Sequence, residues 1–167
     1  MNKIPPVKIR PTHRGPYLIL DNIRSLHNVG SMFRTADALG VAKIYLCGYT
    51  GRPIDLLGRP AREIAKTALG AERAVPWEHA KHAWRVVEEL KRNGVRVIAL
   101  ENNVPGAIPL EKCKPAYPFA LIVGNEVKGI SLAMRKRADV VVAIPMRGTK
   151  ESLNVSVACG VALWRLC

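Results

Sequence analysis

Residues 17–40 read YLILDNIRSLHNVGSMFRTADALG: an apolar run, a polar loop, then a run with a different period. Leu18, Ile19 and Leu20 stand in succession, as in a strand buried on both faces. Beyond the loop, Val29, Met32, Phe33 and Ala36 recur at helical spacing and make one apolar stripe, leaving Ser31, Arg34 and Thr35 off it. A buried strand feeding an amphipathic helix through a short polar loop is how α/β chains are built.

The same alternation continues outward. KIYLC (43–47), VRVIAL (95–100), FALIVG (119–124) and DVVVAIP (139–145) are further apolar runs rich in β-branched residues, and helix-like segments separate most of them. This predicts an α/β fold, a mostly parallel sheet with helices on both faces. Residues 48–94 are too many for one crossover. They hold an irregular GYTGRPIDLLGRP and a helix-like HAKHAWRVVEELKRNG that Asn93-Gly94 should terminate. A chain of 167 residues fits one domain with a continuous core. We divide it into a basic N-terminal arm, residues 1–16, and a folded domain, residues 17–167. The arm carries Lys3, Lys8, Arg10 and Arg14 and no acid, so it is either an RNA-contacting or a merely solvated tail.

Lys and Arg number 26 against 13 acids, a formal charge of +13, which points to an anionic partner. Aromatic residues make up only 5%, and no apolar run approaches the roughly 20 residues of a membrane span, so nucleic acid is favoured over a membrane. The opening MNKIPPVKIR lacks a signal-peptide core, and a soluble cytoplasmic protein is expected. Cys47, Cys113, Cys159 and Cys167 are dispersed and are expected to be free thiols. His79 and His82 lack zinc-motif spacing and read as surface residues of a helix; no metal is expected.

The 13 glycines include no Gly-x-Gly, and the P-loop Gly-Lys-Ser/Thr is also absent, so neither common nucleotide fingerprint is present. Three segments qualify as ligand loops instead, each directly after a strand, where α/β sheets place their ligands. The first is LDNIRSLHNVGSMFRTADALG, in which Arg34 taken alone is an ordinary solvated arginine. The second is ALIVGNEVKGIS, where Gly124 and Gly129 bracket Glu126; that carboxylate taken alone is a charge at the start of the helix SLAMRKRA. The third, IPMRGTKESLNVSVACGVALWRL, opens a helix on Ser152 and Asn154, only one of which can cap it. Leu153, Val157, Val161 and Trp164 lie on one face of that helix and Val155, Ala158, Ala162 and Leu166 on another. A helix apolar nearly all round is buried, in its own fold or against a partner.

Together the three segments closely resemble the SpoU-TrmH family of SPOUT RNA methyltransferases. They read Asn-x-x-x-x-x-Asn-x-Gly-x-x-x-Arg-Thr-Ala, then Val-Gly-Asn-Glu-x-x-Gly, then Ile-Pro-Met-x-Gly-x-x-x-Ser-Leu-Asn-Val-Ser-Val-Ala, in order between Tyr17 and Arg165. The resemblance implies an S-adenosylmethionine-dependent enzyme that methylates a ribose 2′-hydroxyl of tRNA or rRNA. It implies a C-terminal trefoil knot, a rare exception among folds, and a homodimer formed through the knot and the last helix. By motif, the catalytic residues would be Asn28, Arg34, Glu126, Ser152 and Asn154. The cofactor would be held by Leu100, Glu101 and Asn102, by Gly124, by Ile144, Pro145 and Met146, and by Ser152 and Leu153, largely through backbone groups. Arg34 of one subunit would complete the site of the other.

Guanidinium holds its proton too tightly for a simple general base. Arg34 is therefore expected to grip the neighbouring phosphate and align the ribose, while a phosphate or a carboxylate takes the proton. Glu126 is either that carboxylate or the group that holds Asn28 and Arg34 in place. Two alternatives remain: a non-catalytic knotted RNA-binding protein, and a SPOUT enzyme methylating a base nitrogen.

Overall fold

The computed structural model describes residues 15–55 and 57–167; most of the arm, residues 1–14, lies outside them. Seven parallel strands form one sheet in the order β3-β2-β1-β6-β4-β7-β5. They are β1 (Tyr17–Asp21), β2 (Lys43–Cys47), β3 (Trp77–Ala80), β4 (Arg96–Leu100), β5 (Ile108–Pro109), β6 (Phe119–Val123) and β7 (Val140–Ala143). The helices are α1 (Leu26–Ala38), α2 (Arg62–Ala68), α3 (Ala71–Ala74), α4 (Ala83–Arg92), α5 (Leu132–Arg135) and α6 (Val155–Leu166), with a 3₁₀ turn at Leu110–Lys112.

The pleat of each central strand divides the core in two. Leu18, Leu20, Leu121 and Val123 point to one face and pack with Val29, Phe33, Ile64, Cys159 and Leu163, so α1, α2 and α6 cover that side. Tyr17, Ile19, Ala120 and Ile122 point to the other, where Val86, Val87, Leu90 and Met134 bring α4 and α5 down on them. Each fully buried Leu, Ile or Phe contributes roughly 1.5–3 kcal/mol. The predicted stripe of α1, Val29, Met32, Phe33 and Ala36, is wholly buried. Gly30 lets α2 approach α1 closely: a Cβ there would sit 3.1 Å from the Ala68 nitrogen and nearer still to Thr67 and Ile64. Helix α4 stops where expected, at Asn93, with Gly94 at φ +75°.

Two short edge strands were not foreseen. Residues Trp77–Ala80 extend beside β2 instead of joining the following helix, so His79 is a strand residue and not, as expected, a helical one. Its Nε2 lies 2.9 Å from the Gly48 carbonyl, and His82 occupies the N-cap position of α4. Among the described residues no helix is long and apolar enough to cross a membrane. Cys47, Cys113, Cys159 and Cys167 are all free thiols.

The sheet order places the carboxyl ends of β1, β6, β4 and β7 side by side. From β1 the chain steps outward to β2 and β3, whereas β4 to β7 lie on its other flank. The β1/β6 junction is therefore the reversal point at which open α/β sheets form their crevice.

Candidate active site

Four loops meet at that crevice, and the β6–α5 loop organises the others. Gly124 is buried where the chain doubles back: a Cβ there would lie 2.6 Å from the carbonyl carbon of Gly129. Asn125 is 7% exposed, yet its amide is well satisfied. Its Oδ1 accepts from the Val127 and Lys128 N–H groups at 2.9 and 2.8 Å. Its Nδ2 donates to the Asn22 carbonyl at 2.9 Å and to Tyr49 Oη at 2.7 Å. This turn projects the next residue, Glu126, across to α1.

Glu126 does not stand at the start of α5, the simpler reading of the sequence. Its carboxylate accepts from the N–H groups of Arg24 at 2.9 Å and Ser25 at 3.0 Å and from Asn28 Nδ2 at 3.1 Å. These lie at the N-terminus of α1, where backbone donors and the helix dipole favour an anion. Partial burial pushes the Glu126 carboxyl up, but those donors outweigh it and hold it below the ordinary carboxylate value.

A directed chain of amides follows. Asn28 spends its Nδ2 on Glu126, so its Oδ1 is free to accept from Asn154 Nδ2 at 3.2 Å. Asn154 Oδ1 then accepts from the Ser156 N–H at 2.9 Å and its hydroxyl at 2.7 Å. Asn154 is thus the N-cap of α6, and its other end reaches Asn28, 126 residues earlier. The carboxylate at one end and the cap at the other fix each amide's orientation.

Two cavities meet at Glu126. One of about 200 Å³ is walled by Leu100, Glu101 and Asn102, by Gly124, and by Ile144, Ser152 and Leu153. The other, about 490 Å³ and open to solvent, is lined by Arg24, Ser25, Asn28, Glu126 and Asn154. Side chains around the first are already engaged. Glu101 accepts from the Ile130 N–H at 2.6 Å, while Asn102 accepts from the Ile144 N–H at 3.0 Å and donates to the carbonyls of Ile144 and Glu151 at 3.1 and 3.3 Å.

Three residues named from the sequence lie elsewhere. Arg34 is exposed and lines a separate groove of about 900 Å³ between α1, α6 and the 3₁₀ turn, with Leu110, Val161 and Trp164. It is six residues beyond Asn28 on α1, a rise of about 9 Å, and does not join Asn28, Glu126 and Asn154 within the chain. Pro145 lines the same groove, and Met146 lines neither cavity at Glu126. Conversely, Asn125 and Tyr49 went unremarked. Asn125 stands inside the quoted Val-Gly-Asn-Glu, but nothing local says that an asparagine will be buried by a contact with residue 22.

A parallel α/β sheet with its polar cluster at the crevice, walled by four strand-end loops, has the form of a ligand-binding α/β domain. The sequence matches the SpoU rRNA Methylase family over residues 15–164, and the chain belongs to that family. It is 36% identical over 146 residues to the 23S rRNA (guanosine-2′-O-)-methyltransferase RlmB of Neisseria meningitidis, covering 87% of this chain and 55% of that protein. The chain therefore spans little more than half the length of that relative. The AdoMet-bound rRNA methyltransferase of Sinorhizobium meliloti superposes with a TM-score of 0.78 at 29% identity, over 94% of this chain and 57% of the other. A structure described as giving insight into 2-OH methylation of C/U34 on tRNA does so with a TM-score of 0.77 at 28% identity, over 90% of this chain and 93% of the other.

Proposed function

We propose that this protein is an S-adenosylmethionine-dependent RNA methyltransferase acting on a ribose 2′-hydroxyl of tRNA or rRNA, as a homodimer. One observation carries the reading: Glu126 is the common wall of a half-enclosed cavity built from cofactor-type loops and a more open polar one beside it. A donor buried in the first and an acceptor lying in the second would meet at that wall. Family membership, the AdoMet-bound neighbour and the charge of +13 support the same reading.

The half-enclosed cavity suits the cofactor by its chemistry. With Glu101 and Asn102 engaged in holding loops together, recognition falls to backbone amides and carbonyls, which the Gly124–Gly129 turn brings close. S-adenosylmethionine, when bound, supplies a methyl group on a sulfonium. Ser152 and Leu153 line the same cavity, while Asn154, the next residue, lies in the open one.

In the open cavity Asn28 and Asn154 position the ribose, and Glu126 positions Asn28. A carboxylate held below its ordinary proton affinity orients better than it abstracts, so Glu126 is a positioning residue here. Arg34 of the partner subunit grips the phosphate next to the target ribose and aligns the 2′-hydroxyl with the methyl donor. The separation of Arg34 from its own Asn28–Glu126 cluster supports its action across the dimer. The exposed apolar face of α6, Val157, Val161 and Trp164, supplies the contact surface. The Asn102 bonds to Ile144 and Glu151 draw the β4 and β7 loops together, as a trefoil knot in this region requires. A cytoplasmic location follows from an RNA substrate of this kind.

The test is methyl transfer from labelled S-adenosylmethionine to total tRNA and to rRNA in parallel, with mass spectrometry of the digested nucleosides. A 2′-O-methyl nucleoside is expected. A methylated base would move the protein to the base-modifying SPOUT enzymes, and no transfer with the cofactor bound would favour a non-catalytic RNA-binding role.

A further inference from the structure

The β2–α2 loop carries an aromatic ring that neither cavity at Glu126 uses. Tyr49 is 60% exposed in a chain with few aromatics, yet it is held at two points. Its N–H donates to Asn22 Oδ1 at 3.3 Å, and its hydroxyl oxygen accepts from Asn125 Nδ2 at 2.7 Å. Gly48 makes this possible: it turns at φ +64°, and a Cβ there would collide with the Asn22 side chain. A tyrosine that served only for packing would bury its ring, whereas this one is fixed in orientation with the ring left toward solvent. Asn125 is the residue immediately before Glu126, so the tether sets the ring beside the wall of the site.

Beside the ring lies a cavity of about 620 Å³ whose walls include Arg52, Arg59 and His79. Arg59 is committed to Asp55 through a 2.7 Å contact, which braces the loop; Arg52 has no ion-pair partner among the described residues. The Gly48 carbonyl claims the proton on His79 Nε2, so the neutral ring keeps Nδ1 as an acceptor. Burial lowers the proton affinity of His79 and Arg52 lowers it further, against the pull of that carbonyl, which favours the neutral form. A rigid aromatic face, a free guanidinium and a ring nitrogen able to accept are the groups that take up an unstacked base and its phosphate.

We propose that Tyr49 and the adjoining cavity receive the base of a nucleotide flanking the one that is methylated, making Tyr49 a substrate-contacting residue. This rests on the RNA methyltransferase reading above. The ring stacks on the base, Arg52 faces its phosphate, and the tether through Asn125 passes any displacement of the ring to the loop that carries Glu126.

The experiment compares the full chain with Tyr49→Ala and Tyr49→Phe. It reads KM and kcat with total tRNA and rRNA, S-adenosylmethionine affinity by calorimetry, and thermal melting by circular dichroism. Tyr49→Ala is expected to raise the KM for RNA roughly tenfold, the scale of one lost base stack, with cofactor affinity and melting unchanged. Tyr49→Phe keeps the ring and loses the tether, so its KM should fall between the other two. Equal losses in the two variants would assign Tyr49 a structural role through its hydroxyl and overturn the proposal, as would an unchanged KM or a loss confined to cofactor binding. Failure of the wild-type chain to methylate either RNA would instead overturn the underlying reading, and the wild-type arm reports that separately.

Discussion

Helices α4 and α6 are similar in length and differ in how they meet water. Helix α4 buries Ala83, Val86, Val87 and Leu90, and turns charge outward, with Arg92 on Glu89 at 2.6 Å and Lys91 on Asp139 at 2.7 Å. Helix α6 buries Cys159, Ala162, Leu163 and Leu166 in the same way. Its outer face, however, presents Val157, Val161 and Trp164 at 51, 42 and 76% exposure. Solvent completes the first helix. The second needs an apolar cover, and in the proposed dimer a second copy supplies it. The groove at its side also holds Arg34, which lines neither cavity at Glu126.

The sharpest way to break this contrast is through activity. Arg34→Ala should lower kcat by at least about a hundredfold while leaving S-adenosylmethionine affinity by calorimetry nearly intact. Mixing that variant with Asn154→Ala, also inactive, should restore part of the activity, because one composite site in each mixed dimer is whole. If mixing restores nothing, Arg34 acts within its own chain.

Next come the buried faces. Leu163→Ala should cost about 2–5 kcal/mol in denaturant unfolding. Arg85→Ala, on the outer face of α4, should stay within about 0.5 kcal/mol. A smaller effect on the fold itself is expected from Val161→Asp: light scattering should show a dimer reduced to a monomer of 18.3 kDa, with the secondary structure retained. A wild-type chain that is already monomeric would remove the difference between the two helices as explained here.

The smallest effect is the dependence on pH. Burial raises the Glu126 carboxyl, whose ordinary value is 4.5, and its N–H donors more than reverse this. Burial likewise raises Asp139 from 3.8, and Lys91 with the Val97 N–H more than reverses it. Both folded values are depressed, so each contribution is present above the ordinary value and is lost as pH falls through the folded one. Melting temperature should drop as pH falls below about 4.5, and less steeply in Glu126→Gln.

The strands and helices that were legible in the sequence are those whose own composition decides them. FALIV is buried at every position and could hardly be anything else, and of the two capping candidates Ser152 and Asn154 it is Asn154 that caps α6. His79 and Ala80 read as helix from the sequence because an edge strand of four residues, only Ala80 of it buried, carries too little periodicity to override the helix beside it. Ile108–Pro109 is shorter still. At the crevice, the motifs named Asn28, Glu126 and Asn154, which the structure brings together, but not the contacts between the loops. That Asn102 would clamp Ile144 depends on strand order, which no local window contains.

The hydrogen bonds that define the crevice join residues far apart along the chain: Asn28 to Glu126 across 98 positions, and Asn28 to Asn154 across 126. During synthesis a ribosome adds roughly 5–20 residues per second. The α1 terminus would therefore wait on the order of ten seconds for its partner on α6. Until then the carboxylate, the amides and the cap have no common address. The site comes into being late, the Glu126 contact available before the one from Asn154.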